Sequence, residues 1–239
     1  VSKGIEKGTF LRMSQIIREA TGDRFPVVTL SGPSHAEEVA RKVPTAVVSA
    51  SPDRAAAEQV QDLFLNDHFR VYSSSDVVGV ELGAALKNVM ALCTGCCTGM
   101  GYGDNTKAML MTRGLAEMAR LGVALGGRRE TFAGLAGMGD LIVTCTSMNS
   151  RNYRAGILIG QGVPVPEAIA KIGAVVEGYY AVDAARALAK TPAPDQLPTL
   201  GLTKWRPQGG EEHLIDPKAV YLLQHACREG SYEEFKEFS

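Results

Sequence analysis

The chain has 239 residues, which at about 150 residues per domain allows one large domain or two small ones with a sizeable core. Its 25 Lys and Arg against 26 Asp and Glu leave a net charge of -1, a balance that argues against the clustered positive charge of a nucleic-acid groove or membrane-surface helix. At 45% hydrophobic and 21% charged the composition is that of a globular protein, and 26 Gly beside only 6% aromatics suit close helix packing or backbone approach to a ligand.

Thr9 to Ala20 reads as a helix capped by Thr9, with Phe10, Met13, Ile16 and Ile17 on one stripe. Pro26 to Leu30 is a β-branched run that ends in the turn Ser31-Gly32-Pro33-Ser34, after which Ser34 and Glu37 form a capping box for a helix through Val39 and Ala40. Thr45–Ser49 is a second strand, Ser51-Pro52-Asp53 opens a helix through Leu65, and Phe69–Tyr72 is a third strand. Such alternation belongs to an α/β sheet. Beyond Asp76 the strand signals stop, and helical patterns run over 77–97, 105–121, 131–136, 139–146, 152–160, 165–172 and 178–190. The expected division is therefore 1–76, 77–190 and 191–239, the last opening on the irregular stretch around Pro192, Pro194, Pro198 and Pro207.

Cys93, Cys96, Cys97, Cys145 and Cys227 are too few and too clustered for a disulfide framework, and Cys93-x-x-Cys96 lacks the second pair that would complete a metal site. They are expected to be buried thiols in a reducing compartment, and no metal is expected. Val1 to Lys7 lacks the apolar core of a signal peptide. The apolar run from Val77 to Met100 is broken by Glu81 and Lys87, so it is not expected to span a membrane. The expected location is the cytoplasm.

Three constellations could carry chemistry. Lys87 lies in a helix apolar enough to be buried on most sides, with Gly83 one turn earlier leaving room for a ligand and Asn88 offering an amide to a hydroxyl or carbonyl. Desolvation there lowers a lysine's pKa and suits it to proton exchange near neutrality, although a lysine reaching out from a helix edge fits the same residues. Gly134 to Asn152 leads through glycines into a helix with Asp140 and Thr144 on one face, and ends in Ser150-Arg151-Asn152 at the next helix start. A guanidinium fork beside a helix N-terminus is suited to a phosphate. The competing reading makes Asp140 a cap and Arg151 a surface residue. The turn Ser31 to Ala36 sits where open α/β sheets line a ligand crevice, and His35 in it is given no role. A Gly-x-Gly-x-x-Gly turn after a strand does not occur in the sequence.

Taken in order, Ser2-Lys3-Gly4-Ile5-Glu6, Ser31 to Ala36, Gly83 to Val89, Thr112 to Glu117, Gly137 to Leu141 with Ser150 to Asn152, and Val175 to Gly178 resemble NAD(P)-dependent sn-glycerol-3-phosphate dehydrogenases of the bacterial type, over residues 1 to about 190. The resemblance implies part of a Rossmann-like α/β dinucleotide-binding domain, then an all-α substrate domain like the C-terminal domain of 6-phosphogluconate dehydrogenase. It implies reversible reduction of dihydroxyacetone phosphate to sn-glycerol 3-phosphate with NADP or NAD, in glycerophospholipid precursor synthesis, by a homodimer. Lys87 would be the proton donor and acceptor. Substrate would meet Lys3, Gly32, Ser34, Asn88, Asp140, Thr144, Ser150, Arg151 and Asn152, and cofactor would meet Lys3, Ala36, Arg151, Val175 and Glu177. Against this family the first part of the dinucleotide domain is expected to be missing, which could leave the chain inactive. The stretch from about Gly209 to Ser239 looks similar to a segment of the glutamate synthase large subunit and carries no flavin-site motif. Two other functions remain open: a non-catalytic helical dimerisation or phosphometabolite-binding fragment, and another reductase of the same superfamily.

Overall fold

A computed structural model describes residues 2–190. The proline-rich stretch, the segment resembling glutamate synthase and Cys227 lie outside the described residues. A three-stranded sheet is built from β1 (Thr29–Ser31), β2 (Thr45–Ala50) and β3 (Phe69–Ser74) in that order, β1 antiparallel and β3 parallel to the central β2. The register pairs Leu30 with Ser49 and Val47 with Val71. Leu30, Val47 and Val71 bury one face of the sheet together with Val60 of α3 (Arg54–Phe64), which Asp53 caps by accepting from the Ala56 N–H. On the other face Val48 and Ala50 meet Val77, Val80 and Ala136, which joins the sheet to the helices.

The helical part is organised around α4 (Val77–Gly99). Its N-cap, Asp76, accepts at Oδ1 from the Gly79 N–H and at Oδ2 from the Arg128 N–H and the Thr131 hydroxyl, which ties the start of α4 to α6 (Arg129–Ala133). By length and composition α4 could cross a membrane, but 89% of its most apolar window is buried inside the protein. Leu82, Leu86 and Met90 pack on Met118 of α5 (Asp104–Ala124) and on Phe132 and Leu141, whereas Leu92 and Cys96 pack on Ala155 and Ile159 of α8 (Arg151–Gly160). Where α4 meets α8, Gly95 and Gly99 face Gly156 and Gly160, and the two backbones touch. The remaining helices are α7 (Asp140–Thr146), α9 (Val165–Ile172) and α10 (Glu177–Lys190). Cys93, Cys96, Cys97 and Cys145 are buried, and desolvation pushes the Cys97 thiol up to about 11 and the Cys145 thiol to about 12.

Two expected helix starts are displaced. The first helix, α1 (Met13–Thr21), begins four residues after Thr9, because Phe10 at φ 60° and the Glu6–Leu11 backbone bond close a turn that keeps Thr9 and Phe10 out of it. The capping box at Ser34 does not form. Ser34 Oγ donates to the Gly32 carbonyl instead, and α2 (Ala36–Ala40) starts one residue later behind His35.

Candidate active site

Lysines from the N-terminal segment and from the middle of the chain converge on one carboxylate. Asp140 is 2% exposed, and its Oδ1 accepts from Lys87 Nζ at 2.6 Å while its Oδ2 accepts from Lys3 Nζ at 2.8 Å. Lys87 also donates to Thr144 Oγ1 at 2.8 Å, and the Thr144 hydroxyl in turn donates to the Asp140 carbonyl at 2.5 Å. Spacing of four residues on α7 places Asp140 and Thr144 on one side of the lysine. Asp140 is therefore not a helix cap. Lys3 additionally donates to the Gly32 carbonyl at 3.3 Å. That carbonyl is where it is because β1 is followed by Gly32 at φ 152°, a position at which a Cβ would lie 2.9 Å from Val47 Cα.

Asp140 reaches Lys87 through a short π-helical turn, Leu135–Gly139, laid against α4. A Cβ on Gly83 would lie 2.8 Å from the Ala136 carbonyl oxygen. Gly83 thus makes room for this backbone rather than for a ligand, and the close approach brings α7 over the lysine one turn later.

Burial draws the Lys87 ammonium down from 10.5 to about 8; the Asp140 charge works against that fall and the neighbouring Lys3 adds to it. At neutral pH the group is charged but close to its midpoint. It faces a polar cleft of about 440 Å³ lined by Ser2, Lys3, Ser34, His35, Lys87, Asn88, Asp140, Thr144, Asn149, Ser150, Arg151, Asn152 and Glu177. Three Lys and Arg against two carboxylates make the cleft electropositive.

Elsewhere in the lining Ser150 caps α8, accepting from the Tyr153 N–H, and Arg151 is exposed at the helix start. Asn152 is buried and its Oδ1 accepts from the Gly178 N–H, so its side chain ties α8 to the start of α10. Asn88 donates to Glu177 Oε2 at 2.7 Å, which orients both groups. Of the residues singled out from the sequence, Gly32, Ala36 and Val175 fall outside this lining: Ala36 borders a neighbouring cavity of about 610 Å³ that shares Ser34 with the cleft, and Val175 is 60% exposed. Gly32 contributes only its carbonyl. Ser2, Asn149 and His35 were not anticipated. Each lies inside a stretch already singled out, and that membership was the available signal.

The model described as NAD-dependent glycerol-3-phosphate dehydrogenase C-terminus matches residues 76–199, and its N-terminus counterpart matches residues 1–57. A protein of Desulfitobacterium hafniense (strain Y51) named glycerol-3-phosphate dehydrogenase (NAD(P)+) is 46% identical over 246 residues, which cover 98% of this chain and 68% of that one. The chain belongs to this family. A Clostridium perfringens (strain SM101 / Type A) protein of the same name is 59% identical over 184 residues, covering 77% of this chain and 55% of that relative. The crystal structure of glycerol-3-phosphate dehydrogenase from Coxiella burnetii superposes with a TM-score of 0.82 at 36% identity, covering 99% of this chain and 66% of that one. The chain spans about half the length of the Clostridium perfringens relative and of others like it.

Proposed function

We propose that this chain carries the substrate-side machinery of an NAD(P)-dependent glycerol-3-phosphate dehydrogenase, which interconverts dihydroxyacetone phosphate and sn-glycerol 3-phosphate. The observation that supports it most is Asp140 bridging two lysines, one of them near its protonation midpoint, in a cleft also lined by Arg151 and a capped helix N-terminus. Lys87 Nζ delivers its proton to the carbonyl oxygen of the triose on reduction and takes it back on oxidation. The Lys3 charge polarises that carbonyl, and Asp140 with Thr144 holds Nζ in place. Ser150, Arg151 and Asn152 receive the phosphate end, where guanidinium fork and helix dipole act together. Ser34 and Asn88 orient the hydroxyls, and the Gly32 carbonyl fixes Lys3.

The nicotinamide dinucleotide, when bound, supplies or accepts the hydride. The residues that would hold its nicotinamide end fit that role chemically: an exposed apolar Val175 lies two residues before a Glu177 carboxylate already oriented by Asn88, and Lys3, Ala36 and Arg151 would be further contacts. In this reading residues 1–76 belong to the dinucleotide-binding domain and residues 77–190 form the substrate domain, and each ligand takes contacts from both. A homodimer in the cytoplasm that supplies glycerophospholipid precursors completes the proposal, on kinship alone.

Dihydroxyacetone-phosphate-dependent NADPH oxidation, compared between the protein and its Lys87→Ala variant, tests it. A loss of about two to four orders of magnitude in turnover is expected. Unchanged turnover refutes the assignment of Lys87, and glycerol 3-phosphate binding without turnover in the parent protein points to a binding module instead.

A further inference from the structure

Glu81 lies on α4 six residues before Lys87, roughly 9 Å along the same helix at about 1.5 Å per residue. It is 5% exposed and takes no part in the cleft. Its Oε1 accepts from the Ser14 N–H at 2.7 Å, and its Oε2 accepts from Ser14 Oγ at 2.6 Å and from Arg12 Nη1 at 2.6 Å. All three donors come from the start of α1. Ser14 is also the one residue of that helix that is fully buried, so α1 is fastened to the core by a polar clasp more than by an apolar face.

The clasp leads back to the cleft. Arg12 pairs with Ile5 in an isolated antiparallel bridge, and Glu6 N donates to the Leu11 carbonyl at 2.9 Å. Residues 5–12 are thus a closed turn held at one end by Glu81, with Ile5 packed on the Leu82–Met90–Phe132 core. Lys3 is two residues further out. Directional bonds fix orientation where apolar contact would allow sliding, the best-attested use of a buried ion pair.

We propose that Arg12, Ser14 and Glu81 form a positioning cluster that holds the N-terminal segment in the one register placing Lys3 against Asp140. The proposal rests on reading Lys3, Asp140 and Lys87 as the proton-transfer site. One helix then sets both lysines: Lys87 directly, and Lys3 through Glu81 and the turn.

The charge on Lys3 depresses Lys87, so withdrawing Lys3 raises the Lys87 midpoint. The other groups that face Lys87 or share its cleft are Asp140, Thr144 and Cys145 of α7, Glu177 of α10, Arg151 of α8 and His35 before α2. None of them belongs to the clasp. The direct fields of the clasp charges act in opposite senses, since loss of the Arg12 charge raises Lys87 and loss of the Glu81 charge lowers it, so a rise in both variants reaches Lys87 through Lys3.

Heteronuclear NMR of isotope-labelled lysine, with the Lys87 resonance titrated in the parent, Lys3→Met, Arg12→Ala, Arg12→Lys and Glu81→Gln, tests the inference. Lys3→Met, Arg12→Ala and Glu81→Gln are each expected to raise the midpoint, by about one unit, with Arg12→Lys restoring part of it. Mere destabilisation leaves the titration of the folded fraction unmoved. Arg12 is 21% exposed, so its truncation opens towards solvent and decides the matter should Glu81→Gln fail to fold. If Lys3→Met raises the midpoint and Arg12→Ala does not, the clasp has no such role. If Lys3→Met leaves it unchanged, the reading of the site fails, and this inference with it.

Discussion

Replacing Asp140 by Asn removes the charge that supports the Lys87 ammonium while keeping the shape of the side chain. In the parent, a midpoint of about 8 leaves Lys87 roughly 90% protonated at pH 7. An opposing charge at hydrogen-bond distance is worth about one to three pKa units, and its loss adds to the desolvation already present. Lys87 then falls to about half protonated at pH 7 for a one-unit drop and to about 1% for a three-unit drop. In the proposed reaction the lysine gives its proton to the carbonyl. Proton occupancy alone therefore costs the reductive rate at pH 7 between about two-fold and about ninety-fold. The assay is kcat/KM for dihydroxyacetone phosphate as a function of pH, followed by NADPH oxidation. The parent should lose activity above pH about 8, and the variant should lose it at a pH lower by about one to three units. If the falling limb of Asp140→Asn stays where the parent has it, Lys87 is not the group whose proton the reaction uses.

Three further outcomes follow from the same structure. Lys87 is depressed from 10.5 to about 8, so between those values the unfolded chain binds more protons and stability rises with pH, by on the order of 3 kcal/mol in all; denaturant unfolding of Lys87→Met across that window should lack this rise. A methyl at Gly156 would collide with the Leu92 carbonyl of α4, so Gly156→Ala should cost about 1–3 kcal/mol and lower the thermal midpoint in calorimetry. Arg151→Lys keeps the charge but not the planar fork, and steady-state kinetics should show a KM for the phosphorylated substrate raised by about tenfold with a smaller change in kcat.

The strand and helix alternation to residue 75 and the helices beyond it were legible because hydrophobic period changes there from two to the helical spacing. The ends of elements were less legible where a side chain had a second option. Ser34 turned to the Gly32 carbonyl in place of capping, and Phe10 took a positive φ inside a stripe that looked helical. The antiparallel pairing of β1 was beyond sequence reading, since the pattern of a three-residue strand carries no direction. In the site, Lys87 stood out as a charge in an apolar helix, and the i, i+4 pair Asp140 and Thr144 pointed to a shared face. Glu81 carried the same signal as Lys87, a charge where the helix should be buried on every side, but its partners lie 67 and 69 residues away. Gly83 was misread because a glycine beside a functional lysine admits either a ligand or another stretch of backbone, and only the path of the π-helical turn decides between them.

The arrangement of one carboxylate between two lysines has a consequence for both affinity and proton transfer. A lone Lys87–Asp140 pair would be neutral, and the carboxylate would hold the ammonium tightly protonated. Adding Lys3 to the other oxygen divides the stabilisation from Asp140, lets desolvation bring Lys87 towards neutrality, and leaves the trio with a net positive charge. The same excess attracts an anionic substrate into the cleft, where Arg151 receives its far end in the proposed reaction. Lys3 comes from a segment with almost no buried residues of its own, so its contribution depends on how firmly that segment is fastened. A buried carboxylate on the helix that carries Lys87 is well placed to do the fastening, because any shift of α4 then moves both lysines together against Asp140.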